Sequence, residues 1–182
     1  MSEKKVKIGI ILGSTREGRV SPQVGQWIYE LGQKRTDATF EIVDIKAFDL
    51  PFLGTTEDKT NSTKWNDTLA RLDAFVFVTA EYNRSIPGAL KNAIDLAYDN
   101  WNNKAAGVVS YGSVNGARAA ETLRGIFAEL QIADVRTHVA LSMFTDFEKW
   151  STFKPQDLHL KNVEMMFDQL ITWSKALESV RA

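Results

Sequence analysis

The 182-residue chain contains no cysteine. That excludes disulfide cross-links, thiolate-held iron–sulfur clusters and zinc sites, and cysteine nucleophiles. Histidine is nearly as scarce, with only His138 and His159, each without a second ligand nearby in sequence. Both are read as structural, not metal-binding, and no metal site is expected. With no Gly-x-Ser-x-Gly and no evident Ser partner for either His, a hydrolase triad is not expected. No sign of charge dominates: 22 Lys and Arg against 23 Asp and Glu leave −1. A globally basic nucleic-acid surface, an acidic carrier surface and a polyelectrolyte chain are all disfavoured. Nothing approaches the roughly 20 apolar residues of a membrane span. The start, Met1 to Lys5, is polar, and the apolar run Ile8 to Leu12 behind it is too short for a signal segment. The expectation is a cytoplasmic protein with no membrane partner. Only four prolines occur, and no repeat, low-complexity tract or Pro/Gly/Ser linker divides the chain. At about 150 residues per domain, residues 1–182 read as one domain.

What is present is alternation. Val6 to Leu12 is a nearly continuous apolar run ending at Gly13-Ser14, as a buried strand reads. Ser21-Pro22 suggests a helix N-cap followed by proline at the first helical position. Val24, Trp27, Ile28 and Leu31 then share one helix face. Phe40 to Ile45 reads as the second strand, followed by a looser segment to Ser62 and a short helix marked by Trp65, Leu69 and Leu72. Ala74 to Thr79 is the most hydrophobic run and should lie at the centre of the sheet. Pro87 opens a helix with Leu90, Ala93, Ile94 and Ala97 on one face. Ala105 to Ser110, a helix through Ala120, Leu123, Phe127 and Leu130, the strand Val135 to Leu141, and a closing helix from Val163 to Leu177 complete the series. Five strands alternating with five helices mean βαβ units and a parallel sheet covered on both faces. The expected fold is an α/β flavodoxin-like three-layer sandwich with strand order 2-1-3-4-5. Such sheets bind ligands beyond the carboxyl ends of the strands, so loops 13–21, 80–87 and 110–117 are the ones to inspect.

The first loop runs Gly13-Ser14-Thr15-Arg16-Glu17-Gly18-Arg19-Val20-Ser21. It begins like a nucleoside-triphosphate loop, but Arg19-Val20 stands where that loop needs Lys and Ser or Thr. No acidic residue ends the central strand, and G-x-G-x-x-G is absent. Hydroxyls of Ser14, Thr15 and Ser21, the Arg16 guanidinium and a helix N-terminus suit one metal-free phosphomonoester. The plainer reading, that Ser14 and Ser21 merely cap a turn and a helix, has comparable weight. The second loop, Glu81-Tyr82-Asn83-Arg84-Ser85-Ile86-Pro87-Gly88, offers an aromatic to a planar ring, and an amide and backbone N–H groups to its heteroatoms.

These residues carry a resemblance. Gly13-Ser14-Thr15-Arg16 with Ser21, then Glu81-Tyr82-Asn83-x-Ser85-x-Pro87-Gly88-x-Leu90-Lys91-Asn92-x-x-Asp95, resembles the NADPH-dependent FMN reductase family. A third block agrees: Val108 to Ser113, then Gly116-Ala117-Arg118-Ala119. The resemblance, covering about Lys7 to Ala140, implies a flavodoxin-like fold, non-covalent FMN, and NADPH or NADH as co-substrate. It also implies a homodimer or homotetramer and a small electron acceptor: a quinone, free flavin, azo compound or metal oxyanion. Carried over by position, Ser14, Thr15, Arg16 and Ser21 fall in the phosphate loop. Glu81, Tyr82, Asn83 and Arg84 fall beside the ring and ribityl chain, and Ser110, Tyr111 and Gly112 on the other edge of the ring. The resemblance further implies a ping-pong scheme in which hydride enters and leaves the flavin, with no side-chain acid or base required. Two departures stand out. Ala80 replaces a usual proline, and Ser113 and Asn115 sit in a turn more often rich in glycine.

Rival readings are a flavin-binding electron carrier and a redox-sensing binding module of the same fold; the net charge of −1 favours the enzyme over the carrier. Trp27 and Trp65 have core spacing. Trp101 is assigned to packing at a subunit interface, with the core or the rim of a neighbouring flavin site as alternatives. The aromatic segment Phe144, Phe147, Trp150 either covers the site or seals the sheet edge.

Overall fold

A computed structural model describes residues 4–181. Seven strands and five helices follow one another: β1 (Val6–Leu12), α1 (Ser21–Gly32), β2 (Ala38–Asp44), α2 (Thr60–Ala70), β3 (Ala74–Ala80), α3 (Gly88–Asp95), β4 (Ala105–Gly112), α4 (Ala117–Glu129), β5 (Ala133–Ser142), the short pair β6 (Phe147–Glu148) and β7 (Thr152–Phe153), and α5 (Leu158–Arg181). The first five strands form a parallel sheet in the order β2-β1-β3-β4-β5, as the alternation predicts. Every residue of β3 and β4 is buried, whereas β2 and much of β5 alternate between buried and more open positions. Central parallel strands are covered on both faces and read as continuous apolar runs, while the edges are less completely enclosed.

Two apolar layers flank the sheet. Ile8, Ile10, Val76 and Val109 pack with Val24 and Ile28 of α1 and with Val163, Met166, Phe167 and Leu170 of α5. Ile11, Phe75, Phe77 and Val108 pack with Trp65 and Leu69 of α2, Leu90 of α3, and Leu123 and Phe127 of α4.

Several boundaries differ from the sequence reading. β2 starts at Ala38 and stops at Asp44, because the Asp44 carboxylate accepts the Lys46 N–H at 3.1 Å and turns Ile45–Phe48 into a 3-10 segment. Strands β3, β4 and β5 each run past the expected ends. Leu72, Ala97 and Leu130 lie just outside the helices they were assigned to. Ser21 is not the cap of α1: Val20 occupies that position, and no side chain caps the helix.

Trp101 is also corrected, from interface to core. A 3-10 turn, Tyr98–Trp101, folds the indole back over the sheet, where it is 0% exposed against Phe75 and Phe77 at 4.8 and 5.6 Å between ring centroids. Its N–H donates to the Ile94 carbonyl at 2.9 Å, so the polar atom is satisfied inside the layer.

The aromatic segment after β5 divides. Phe147 is buried against Tyr111 and Phe153, while Phe144 and Trp150 remain exposed, edge to face at 5.1 Å. The β6–β7 pair was not anticipated, since two-residue strands carry no period to detect. No helix among the described residues is long and apolar enough to cross a membrane.

Candidate cofactor site

Strand register gathers the three loops. Leu12 lies beside Val78, Thr79 beside Ser110, and Ala80 beside Tyr111, so β1, β3 and β4 release their chains at one edge of the sheet. Gly13 continues the ladder, donating to the Val78 carbonyl at 2.9 Å. A Cβ there would stand 2.8 Å from Leu90 and 3.1 Å from that carbonyl, so a side chain would push the first loop off the sheet.

The first loop is held by Arg19. Its guanidinium grips both Asp44 oxygens at 2.6 Å and reaches the Ser14 carbonyl at 2.6 Å, pinning the loop to the end of β2. Sequence reasoning missed Asp44; the readable signal was a carboxylate ending an edge strand beside an arginine-bearing loop. With Arg19 engaged, Arg16 is the loop's available guanidinium. It is exposed, and its Nε donates to the Tyr82 hydroxyl at 2.8 Å.

Ser14 is buried, and its Oγ lies 2.9 Å from the same hydroxyl. Ser14, Arg16 and Tyr82 thereby join the first loop to the second. Thr15, half-buried beside them, also lines a hollow of about 320 Å³ with Ile45, Lys46, Leu50, Phe52 and Asn92.

Donors accumulate here without acceptors. Among the described residues, no backbone N–H from Ser14 to Gly18 donates a hydrogen bond; that of Arg19 closes the turn at Glu17–Gly18. The Ser21 hydroxyl is fully buried; its polar neighbour is the Tyr111 hydroxyl, whose ionisation it favours slightly as a donor, but the two do not meet in a well-formed hydrogen bond. Burial pushes the Tyr111 hydroxyl well above its ordinary value, and the neighbouring Tyr82 pushes it further. Tyr111 is therefore a neutral phenol at physiological pH. A cluster of N–H and O–H donors at a helix N-terminus with no acid in its first turn is a cradle for an anion.

The second loop is a tight turn. Tyr82 and Ser85 exchange both backbone hydrogen bonds, at 2.9 and 3.0 Å, while Asn83 and Arg84 take φ of 49° and 68°. Both turn residues are exposed, and among the described residues their N–H groups donate to nothing. The Glu81 carboxylate faces the other way, accepting the Arg118 backbone N–H at 3.0 Å and its Nη1 at 2.8 Å. It fastens the second loop to the start of α4.

In the third loop, Ser110 is buried. Its Oγ donates to the Asn115 carbonyl at 2.7 Å and lies 2.7 Å from His138 Nε2. His138 thus has a serine partner after all. The serine is no nucleophile, because it is buried and its hydroxyl proton is committed to Asn115. Burial lowers the His138 pKa to about 4, so the neutral ring serves as the donor in a chain that holds the turn. The Gly112 carbonyl receives Asn115 and Met143 N–H groups, both at 3.1 Å. Gly116, at φ 69°, closes the loop. His159 belongs elsewhere, on buried Asp146 at 2.9 Å. Among the described residues no cluster of three metal-binding side chains forms. The larger cavity, about 530 Å³ and lined by Lys4, Asp73, Lys104 and Arg181, opens at the amino ends of the strands, away from these loops.

A five-stranded parallel sheet in the order 2-1-3-4-5 with helices on both faces defines a flavodoxin-like protein. Among solved structures, the flavoenzyme NAD(P)H:(acceptor) oxidoreductase FerB from Paracoccus denitrificans superposes with a TM-score of 0.76 at 20% identity, covering 94% of this chain and 98% of that one. A sequence model of the NADPH-dependent FMN reductase family matches residues 6–146. An NAD(P)H-dependent FMN reductase of Schizosaccharomyces pombe is 35% identical over 149 residues, 77% of this chain and 74% of its own length. A quinone reductase of Pseudomonas putida is 29% identical over 189 residues, 95% of this chain and 97% of its own. The chain belongs to the NADPH-dependent FMN reductase family.

Proposed function

We propose that this protein is an FMN-dependent NAD(P)H oxidoreductase that passes electrons to a small acceptor, with quinones the first class to test. The observation that carries the reading is the set of under-used donors in the first loop: the buried Ser21 hydroxyl, which no well-formed hydrogen bond satisfies, the free N–H groups of residues 14–18, and Arg16 beside them. Together they match the charge and acceptor oxygens of one terminal phosphate. Bound FMN supplies the two-electron chemistry, accepting hydride and releasing it.

The chain's own residues bind and orient. Ser14, Thr15, Arg16 and Ser21 hold the phosphate. Tyr82 lies along the ring system, and the exposed N–H groups of Asn83 and Arg84 stabilise negative charge developing on its heteroatoms. Glu81 and Ser110 have committed side chains, so both contribute through backbone and by keeping the loops in place. Tyr111 and Gly112 form the opposite edge. With no side-chain acid or base between them, NAD(P)H and acceptor use one space in turn, a ping-pong order. The acceptor and a homodimeric or homotetrameric state are part of this proposal.

The purified protein should show flavin-type visible absorbance or acquire it on FMN titration. Anaerobic NADPH should bleach it, and a small quinone should restore it. No flavin absorbance together with no FMN binding overturns the reading.

Replacing Arg16 with alanine should weaken FMN binding by roughly tenfold to a hundredfold, the worth of a charge-assisted contact of about 1.5–3 kcal/mol. Riboflavin, which lacks the phosphate, should bind both proteins equally. Hydride transfer in enzyme saturated with FMN should be unchanged. Equal FMN affinity in the two proteins removes Arg16 from the phosphate site.

A further inference from the structure

The acids of the first two loops and of the end of β2 are spent on other partners: Glu17 on Lys46, Glu81 on Arg118 and Asp44 on Arg19. Arg16 is left with an uncharged one. Its Nε donates to the Tyr82 hydroxyl at 2.8 Å, and its guanidinium carbon lies 5.9 Å from the centre of the Tyr82 ring, within cation–π range. Among the described residues, nothing takes a hydrogen bond from Nη1 or Nη2 of Arg16. The side chain is therefore held at Nε while its terminal fork, the part that grips a phosphate bidentately, is unused. A carboxylate in place of the phenol would also hold Arg16, but it would cancel the charge.

Proton counting extends the chain to Ser14. The Arg16 Nε–H can only donate, so the Tyr82 oxygen accepts there. The phenol keeps its own proton, and Ser14 Oγ lies 2.9 Å away. Donation from Tyr82 to Ser14 leaves the Ser14 proton for a further acceptor. Ser14 is buried and its carbonyl takes Arg19, so its backbone is fixed. One phenol thus leaves two first-loop side chains held in place, each with donors to spend on a ligand.

We propose that Tyr82 is the positioning residue of the phosphate cradle, its hydroxyl presetting Arg16 and Ser14 so that the site prefers FMN to riboflavin. The inference rests on the flavin reading above, in which Tyr82 lies along the ring; its hydroxyl additionally serves the phosphate end. The residue starts in the second loop, where its backbone is locked to Ser85 by two hydrogen bonds, and its side chain ends in the first. It therefore spans from one end of the proposed cofactor site to the other. Holding a long side chain in its bound geometry before a ligand arrives removes an ordering cost from binding, worth roughly three- to tenfold in Kd.

Tyr82→Phe keeps the ring over the Arg16 guanidinium and removes the hydroxyl alone. Flavin fluorescence titrations should show FMN bound roughly three- to tenfold more weakly, and riboflavin bound with wild-type affinity. In an Arg16→Ala background the same substitution should cost FMN less than half as much on a logarithmic scale, because the main group it positions is gone. With no flavin present, the Arg16 Nε–H signal in nitrogen–proton NMR spectra should exchange with solvent faster in Tyr82→Phe than in wild type. Unchanged or tighter FMN binding, equal weakening of both flavins, an undiminished loss beside Arg16→Ala, or an unchanged Nε–H exchange rate overturns the proposal. A wild type that binds neither flavin overturns the functional reading itself and this inference with it, a result that none of the other outcomes produces.

Discussion

Gly116→Ala should raise the Kd for FMN by about a hundredfold or more, close to 2.7 kcal/mol. A Cβ at this position would stand 2.6 Å from both Ser110 Cβ and Oγ and 2.7 Å from the Tyr111 backbone nitrogen. None of these atoms belongs to a flexible chain end that could swing aside. Ser110 is fixed by Asn115 and His138, and Tyr111 N sits in a sheet strand. The third loop must therefore move bodily away from β4, carrying Tyr111 and Gly112 off the proposed flavin edge. The residue also holds φ 69°, which costs a non-glycine residue about 1–2 kcal/mol. Gly54→Ala isolates the backbone term: φ there is 80°, and a Cβ would meet nothing within 4 Å. That variant should lose about 1 kcal/mol of stability and keep FMN affinity. Titration of both variants checks the point, and wild-type affinity in Gly116→Ala would show that the third loop does not touch the cofactor.

Trp101→Ala should cost about 3–5 kcal/mol of unfolding free energy, a large share of the roughly 5–15 kcal/mol typical of a domain. The indole fills the centre of an aromatic layer with Trp65, Phe75 and Phe77, and no small group could replace its volume. Its removal also strips the Ile94 carbonyl of a buried donor. Trp101→Phe keeps much of the volume and should lose less than half as much. Urea midpoints with an unchanged slope read the difference directly. A loss below about 1 kcal/mol in the alanine variant would mean that the pocket collapses without penalty.

Much of this architecture is legible because its signals are local. The continuous apolar runs of β3 and β4 and the helical periods between them are properties of neighbouring residues, and they suffice for strand order and for the edge where loops gather. The first-loop donors were legible for the same reason: hydroxyls, an arginine and a helix start lie within nine residues. What escaped is pairing at a distance. The serine partner of His138 lies 28 residues back, on the adjacent strand, and the Asp44 partner of Arg19 lies 25 residues ahead. Trp101 was misplaced because a 3-10 turn, not the preceding helix, sets its direction. Ser21 was read as a cap because a hydroxyl before proline is the usual capping signal, yet the helix begins one residue early and leaves the hydroxyl over.

The contact between Glu81 and Arg118 has a dynamic consequence. Because one carboxylate takes both the backbone and the side chain of Arg118, the turn after β3 and the first turn of α4 open together or not at all. The Arg118 amide should then exchange with solvent at the rate of that joint opening, far more slowly than the bare amides of Asn83 and Arg84 a few residues away in space. Two of the three loops of the proposed cofactor site are thus tied to each other before any ligand arrives.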